Sequence, residues 1–180
     1  MFTTLEAEIS PGMSPAAAVG LAQRVEEVGF DRLGISDVVF WPDCFVLQSL
    51  IADATERIQI GSMVTNPYTR HPAVLAGMLA TLQEVSGGRM FLGICVGAGL
   101  EDLDIDYPRP VRALREAIVG IRALLAGEVV ELDAELFPMR DAALIRPPIE
   151  PVPISVGTRS RQIMQLAGEL ADIALVGARH

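Results

Sequence analysis

The sequence is short of positive charge and of cysteine. Lysine and arginine total 14 against 23 aspartates and glutamates, which gives a formal net charge of −9 at pH 7. This balance repels phosphate backbones and anionic lipid, so we expect neither a nucleic-acid nor a membrane partner. The two cysteines, Cys44 and Cys95, are far apart and have no second thiol or histidine at metal-ligand spacing. We therefore expect reduced, apolar cysteines and no metal site.

Long apolar runs are missing as well. No stretch reaches the roughly 18 residues of a membrane span, and Met1 to Ser14 lacks the basic start and apolar stretch of a signal peptide. We expect a cytoplasmic protein. Apolar residues are nevertheless abundant, at 51% of the chain against 21% charged, with a mean hydropathy of +0.39. For 180 residues this predicts a single domain, 1–180, whose sheet is buried on both faces.

Strand and helix patterns alternate along the whole chain. Ser14 and Asp43 are suited to cap helices, and Gly29 to end one in the left-handed conformation. The predicted strands are almost wholly apolar, as in parallel sheets covered on both sides. We predict strands at 1–9, 30–36, 58–65, 90–96, 154–156 and 172–176, and helices at 15–28, 45–55, 73–85, 111–125 and 161–170.

This alternation with short turns requires parallel strands joined by right-handed crossovers. A flavodoxin-like sheet and a closed barrel both satisfy the pattern. Residues 128–138 are predicted to form a short hairpin or excursion, of the kind that barrels carry as insertions. The proline-rich segment 146–153 leads into the fifth strand.

Six short strings stand out along the chain, and they are TNPYTRHP at 65–72, SGGRMFLG at 86–93, GFD at 29–31, SD at 36–37, VPISVG at 152–157 and LAGELAD at 166–172. They resemble the luciferase-like monooxygenase family, and most closely its methylenetetrahydromethanopterin reductase branch. Their order and spacing extend over four successive βα units and cover nearly the whole chain. The resemblance implies an α/β fold of the (β/α)8 TIM-barrel type, incomplete, with about six βα units present.

The resemblance also implies a cofactor at the carboxyl ends of the strands, either the deazaflavin coenzyme F420 or FMN. In F420-binding members the third strand has a bulge with a non-prolyl cis peptide behind the ring. The matching bond here is Ser62–Met63, unless the strand is an ordinary trans one. Thr65 and Asn66 can hydrogen-bond the polar edge of the ring or form a turn before the next proline. Asp37 matches a family acid near the ring or caps its own loop.

Two glycine-containing turns follow the fourth and fifth strands. The first would let the backbone approach the ring or the ribityl chain without an intervening Cβ. The second opens a helix with free N–H groups, a hydroxyl and a guanidinium, which in the family helps to bind the cofactor phosphate. The alternative is an ordinary helix cap with a solvated arginine. The candidate residues are Val96, Gly97, Val156, Gly157, Thr158, Arg159 and Ser160.

Two family residues are replaced in this chain. The sugar-phosphate dehydrogenase branch has a catalytic histidine where this chain has Val38. That branch has a glutamate, and the reductase branch an acid, where this chain has Ala98. Neither position can donate a proton, so no catalytic residue is assigned and those two activities are not carried over. His71 lies at the start of a helix and is predicted to be structural.

Hydride transfer needs mainly close stacking and exclusion of water, since the cofactor supplies the electronics. We therefore predict an F420-dependent oxidoreductase acting on a small organic substrate. The alternatives are an FMN-dependent luciferase-like monooxygenase and a non-catalytic cofactor-binding or structural remnant. An open six-stranded barrel leaves two apolar edges, which predicts a homo-oligomer of two or more chains.

Overall fold

The computed structural model describes residues 4–176. It contains eight strands, five α-helices and a 3₁₀ turn at Leu100–Leu103. In chain order the elements are β1 (Glu6–Ile9), α1 (Pro15–Glu27), β2 (Arg32–Ile35), α2 (Cys44–Ala54), β3 (Gln59–Ser62), α3 (Pro72–Ser86), β4 (Met90–Ile94), α4 (Pro110–Leu125), β5 (Val130–Leu132), β6 (Met139–Ala142), β7 (Ile154–Thr158), α5 (Arg161–Leu170) and β8 (Ile173–Val176).

Six strands form one parallel sheet in the order β1-β2-β3-β4-β7-β8. The order follows the chain without reversing, whereas a doubly wound sheet reverses at its switch point. The topology is therefore that of a barrel segment, and the flavodoxin-like alternative is wrong. Strands β5 and β6 pair separately as an antiparallel hairpin, which confirms the predicted insertion and extends it to Ala142. None of the described helices is long and apolar enough to cross a membrane.

Local signals set the helix limits. Ser14 caps α1 by accepting the N–H of Ala17 at 3.3 Å, and Asp43 caps α2 by accepting the N–H groups of Phe45 and Val46. Gly29 follows α1 with a φ of +92°, as predicted for a left-handed terminus. The predicted helices agree with the observed ones to within one residue at each end.

The hydrophobic core lies between the outer face of the sheet and the helices, which pack side by side in chain order from α1 to α5. Alternate residues of each strand point toward the helices. Those of the inner strands are almost completely buried, and they are Leu33, Ile35, Ile60, Met90, Leu92, Ile94, Ile154 and Val156. The apolar excess of the sequence is concentrated in this layer.

The inner face of the sheet curls onto itself. Phe91 is fully buried although it is not part of the helix-packed core. The guanidinium carbon of Arg32 on β2 lies 3.9 Å from the centre of the Phe91 ring on β4, across the intervening strand β3. That approach needs Gly61, where an added Cβ would fall 2.4 Å from the Phe91 ring. The sheet is therefore a curled half-barrel, and β1 and β8 are its edges within residues 4–176.

Strand β3 ends earlier than predicted because it contains a bulge. Gly61 pairs with Phe91 and Thr65 with Ile94, so four steps along β3 oppose three along β4. The regular ladder stops at Ser62, not at Thr65. The family-derived expectation of a bulge on this strand is confirmed.

Candidate active site at the carboxyl ends of the strands

The bulge after β3 is joined to β4 by Ser62. The hydroxyl of Ser62 donates to the carbonyl oxygen of Gly93 at 2.7 Å and accepts the N–H of Gly93 at 3.2 Å. The cis peptide lies between Met63 and Val64, so the prediction of Ser62–Met63 is wrong by one bond. Ser62 still belongs to the strand, where it pairs with Ile35, and the irregular backbone begins only after it.

The two bulge residues point in different directions. Met63 covers Gly34 of β2, where an added Cβ would fall 2.6 Å from the Met63 Cβ. Val64 lies against Gly157 of β7, where an added Cβ would fall 3.2 Å from a Val64 methyl group. The bulge thus fills the space at the strand ends between β2 and β7, and it needs glycine on both sides.

Asp37, directly after β2, is the centre of a polar network. Its Oδ2 accepts a hydrogen bond from the hydroxyl of Thr65 at 2.6 Å and one from the guanidinium of Arg70 at 2.7 Å. Arg70 also donates to Asp43 at 2.6 Å, and its guanidinium carbon lies 4.9 Å from the centre of the Phe45 ring. The Asp37 and Arg70 side chains are only 11% and 19% exposed. The network therefore joins β2, β3 and the start of α2.

The single guanidinium of this network pairs with two carboxylates. Burial opposes ionisation of Asp43, but the N–H of Val46 and the guanidinium of Arg70 outweigh it and lower the pKa of the Asp43 carboxyl below its ordinary value. Cys95, after β4, is half-buried, and burial raises the pKa of its thiol. Burial likewise raises the pKa of the Cys44 thiol, which donates to the carbonyl of Ile35. Both cysteines are free, which agrees with the prediction of reduced cysteines.

Asn66 stabilises the loop that carries Arg70. Its side-chain oxygen accepts the N–H groups of Tyr68 and Thr69 at 3.0 and 2.9 Å, which is the predicted Asx-type turn. This oxygen is therefore already used, and only the amide nitrogen of Asn66 is left for a ligand. His71 caps α3 by accepting the N–H of Ala73 at 3.2 Å, which agrees with its predicted structural role.

The turn after β4 depends on glycine. Gly97 has a φ of +96°, and an added Cβ would fall 2.8 Å from Leu100 and 3.2 Å from the Cβ of Asn66. The turn therefore packs onto the loop after β3. Val96, at the start of this turn, is half-buried and packs against the core.

The segment after β7 combines backbone and polar groups. Val156 points into the helix-packed core, so only its backbone faces the strand ends. The Thr158 hydroxyl accepts the N–H of Ser160 at 2.8 Å, and no side chain of the described residues caps the first turn of α5. The N–H groups of that turn are free to bind an anion, and the exposed Arg159 lies beside them. Gly157 links this segment to the bulge through Val64.

Sequence reasoning missed three residues at this end of the sheet. Arg70 organises the polar network, and Trp41 and Leu103 line a cavity of about 330 Å³ beside it. Val38, which replaces the family histidine, lines the same cavity, whereas Ala98 is exposed nearby. Arg70 lies in the 65–72 string, so a charged residue shortly after the strand-end candidates Thr65 and Asn66 was an available signal. A larger cavity of about 610 Å³ lies at the opposite end, beside the proline-rich segment.

Comparison with known proteins identifies the family of this chain. The family model described as luciferase-like monooxygenase matches residues 1–180. The chain belongs to this family. The 5,10-methylenetetrahydromethanopterin reductase of Archaeoglobus fulgidus is 37% identical over 177 residues, covering 96% of this chain and 52% of that protein. An F420-dependent glucose-6-phosphate dehydrogenase of Beutenbergia cavernae is 34% identical over 173 residues, covering 88% and 52%.

A solved structure supports the fold of this luciferase-like chain. The coenzyme F420-dependent tetrahydromethanopterin reductase of Methanopyrus kandleri superposes with a TM-score of 0.92 at 27% identity, covering 97% of this chain and 56% of that one. The predicted barrel type, incomplete, is confirmed. The luciferase-like chain spans about half the length of the curated relatives it matches.

Proposed function

We propose that this luciferase-like chain is an oxidoreductase that binds coenzyme F420 at the carboxyl ends of its strands and acts on a small organic substrate. One observation carries the proposal. The first turn of α5, which follows β7 at this end of the sheet, has no side-chain cap among the described residues, so its N–H groups are free to bind a phosphate. The bulge after β3 packs against Gly157 of β7 beside this turn, so the bulge would be the surface on which the cofactor ring lies.

The residues at the strand ends fit such a cofactor. Gly97 and Gly157 let Leu100, Asn66 and Val64 pack closely against the backbone, which fixes the turns around the candidate site. Thr158, Arg159 and Ser160 surround the free N–H groups of α5 and would hold a phosphate. Relatives that match almost the whole chain are named as F420-dependent enzymes, which favours F420 over FMN.

The polar network would position the cofactor and substrate. Asp37 accepts hydrogen bonds from Thr65 and from Arg70, so we assign it the role of an acceptor in the site. When bound, F420 would supply a hydride donor or acceptor. We assign no protein group to the accompanying proton, which in this proposal is exchanged with water.

Assembly and location are part of the same proposal. We infer one barrel domain over residues 1–180, in a cytoplasmic protein that forms a homo-oligomer. The exposed edges β1 and β8 support association, because unpaired strand edges bind further strands.

The test is a titration of the purified chain with F420 and separately with FMN, followed by cofactor fluorescence. We expect saturable binding of F420, and an Arg159→Glu variant should weaken it on the order of ten-fold through charge reversal at the phosphate. Arg140→Glu is the matched control, since Arg140 is also exposed but lies on the hairpin strand β6. Saturable binding of FMN alone would support the monooxygenase alternative. Binding of neither cofactor would overturn the proposal in favour of a remnant.

A further inference from the structure

Five of the ten residues that line the cavity beside the polar network are apolar. It measures about 330 Å³ and lies between the loop after β2 and the loop after β3, with Leu103 from the 3₁₀ turn on a third side. Val38, Phe40 and Trp41 contribute aliphatic and aromatic surface, and the Phe40 and Trp41 side chains are 79% and 45% exposed. Large apolar side chains that remain exposed around a cavity are typical of a surface that a ligand covers.

The charged groups around this cavity disfavour binding of an anion. Arg70 is the one cation among the described residues that line it. Its two terminal guanidinium nitrogens already pair with the carboxylates of Asp37 and Asp43. The lining therefore carries a net charge of −1. Residues 101–106, which include the lining residue Leu103, carry four further carboxylates, all of them exposed. A phosphate or carboxylate on a ligand would meet this field without a free cation to pair with.

We propose that this cavity binds an uncharged, mainly apolar substrate and excludes phosphorylated or carboxylated ones. The inference rests on the proposed function, because the cavity shares Asp37 and Asn66 with the candidate cofactor site. Thr69 and Asn66 also line it and offer neutral hydrogen-bonding groups for one hydroxyl or carbonyl. The chain would thus differ in substrate class from a relative whose name specifies glucose 6-phosphate.

Trp41 makes the proposal directly measurable. It is the only tryptophan in the sequence, it lines the cavity, and it is partly exposed. Its emission therefore reports occupation of the cavity without any cofactor. We would titrate the chain with cyclohexanol and with cyclohexyl phosphate, which share the ring and differ in charge. Cyclohexanol should give a saturable change of Trp41 emission, and the phosphate should bind at least about ten-fold more weakly.

A charge placed in the cavity should reverse this preference. Val38→Lys adds a free cation to the lining, so binding of cyclohexyl phosphate should strengthen and binding of cyclohexanol should weaken. Ile149→Lys is the matched control, because Ile149 is a fully exposed β-branched residue at the opposite end of the strands. That variant should leave both titrations unchanged. Equal affinity of the unmodified chain for both ligands, or no response of Trp41 to cyclohexanol, would overturn the proposal.

The two proposals fail in distinguishable ways. If F420 binds, and cyclohexyl phosphate and cyclohexanol bind the cavity with equal affinity, the cofactor assignment is supported and the proposed substrate class is wrong. If cyclohexanol is selected but neither F420 nor FMN binds, the selectivity of the cavity is supported and the oxidoreductase assignment is wrong. Cofactor fluorescence and Trp41 emission report these results independently.

Discussion

Replacing Arg70 by methionine should destabilise the protein, because the nearly buried carboxylate of Asp37 loses its guanidinium partner. Asp37 is 11% exposed, and in Arg70→Met its Oδ2 keeps only the Thr65 hydroxyl. A charge-assisted hydrogen bond of a nearly buried group contributes about 2 kcal/mol. The bond to Asp43 adds less than about 1 kcal/mol because Asp43 is half-exposed, and the contact with the Phe45 ring adds about 0.5 kcal/mol. We expect a total loss of about 3 kcal/mol.

The assay is urea denaturation together with thermal melting. For a chain of this size, about 3 kcal/mol corresponds to a fall in Tm of roughly 6 to 12 °C. A double-mutant cycle measures the coupling between Arg70 and Asp37, because Asp37→Asn removes the carboxylate that has lost its partner. In the Arg70→Met background, Asp37→Asn should recover at least about 1 kcal/mol. Arg24→Met is the control, since the Arg24–Glu27 ion pair lies on the open surface and its loss should not be measurable.

Two results would refute this reasoning. Strict additivity of the Asp37 and Arg70 substitutions would show that the carboxylate is not stabilised by the guanidinium. An Arg70→Met variant as stable as the Arg24→Met control would show that the network is a surface feature. Either result would also remove the basis for treating Asp37 as a hydrogen-bond acceptor that Arg70 holds in place in the site.

Two further predictions concern the framework of the site. Gly93→Ala places a Cβ 2.1 Å from the carbonyl oxygen of Ser62, so this variant should lose about 3 kcal/mol of stability and bind the cofactor more weakly. Gly77→Ala is the control, because Gly77 has open space around it, and this variant should be slightly more stable than the unmodified chain. Chemical denaturation of both variants measures these changes. Burial opposes ionisation of the Glu26 carboxyl, but hydrogen bonds from three backbone N–H groups outweigh burial and lower the pKa of Glu26. Ionised Glu26 therefore contributes about 1 kcal/mol to stability above the unfolded pKa near 4.5, and this contribution is lost as the pH falls below that value. The stability difference between the unmodified chain and Glu26→Gln should therefore shrink from pH 7 to pH 3, and a difference that stayed constant would contradict the assignment.

Much of the fold is encoded in short segments. Ser14 and Asp43 lie one residue before the helices that they cap, and Gly29 ends α1, so each signal acts on backbone only two or three residues away. The wholly apolar strands likewise required cover on both faces. For these reasons the element order, the parallel sheet and the hairpin insertion could be predicted. The family strings then located the strand ends that carry the candidate site.

The tertiary structure decided what depends on residues distant in the chain. The bulge begins after Ser62 because that hydroxyl is bonded to Gly93, 31 residues away. The curl of the sheet depends on Arg32 lying over Phe91, and the polar network on Arg70 meeting Asp37, 33 residues away. The sequence by itself determined which segments become strands and helices, because caps, glycines and apolar periodicity act locally. Only the folded chain decided which strand-end side chains pair with each other and which remain free for a ligand, because those choices are made by contacts between different βα units.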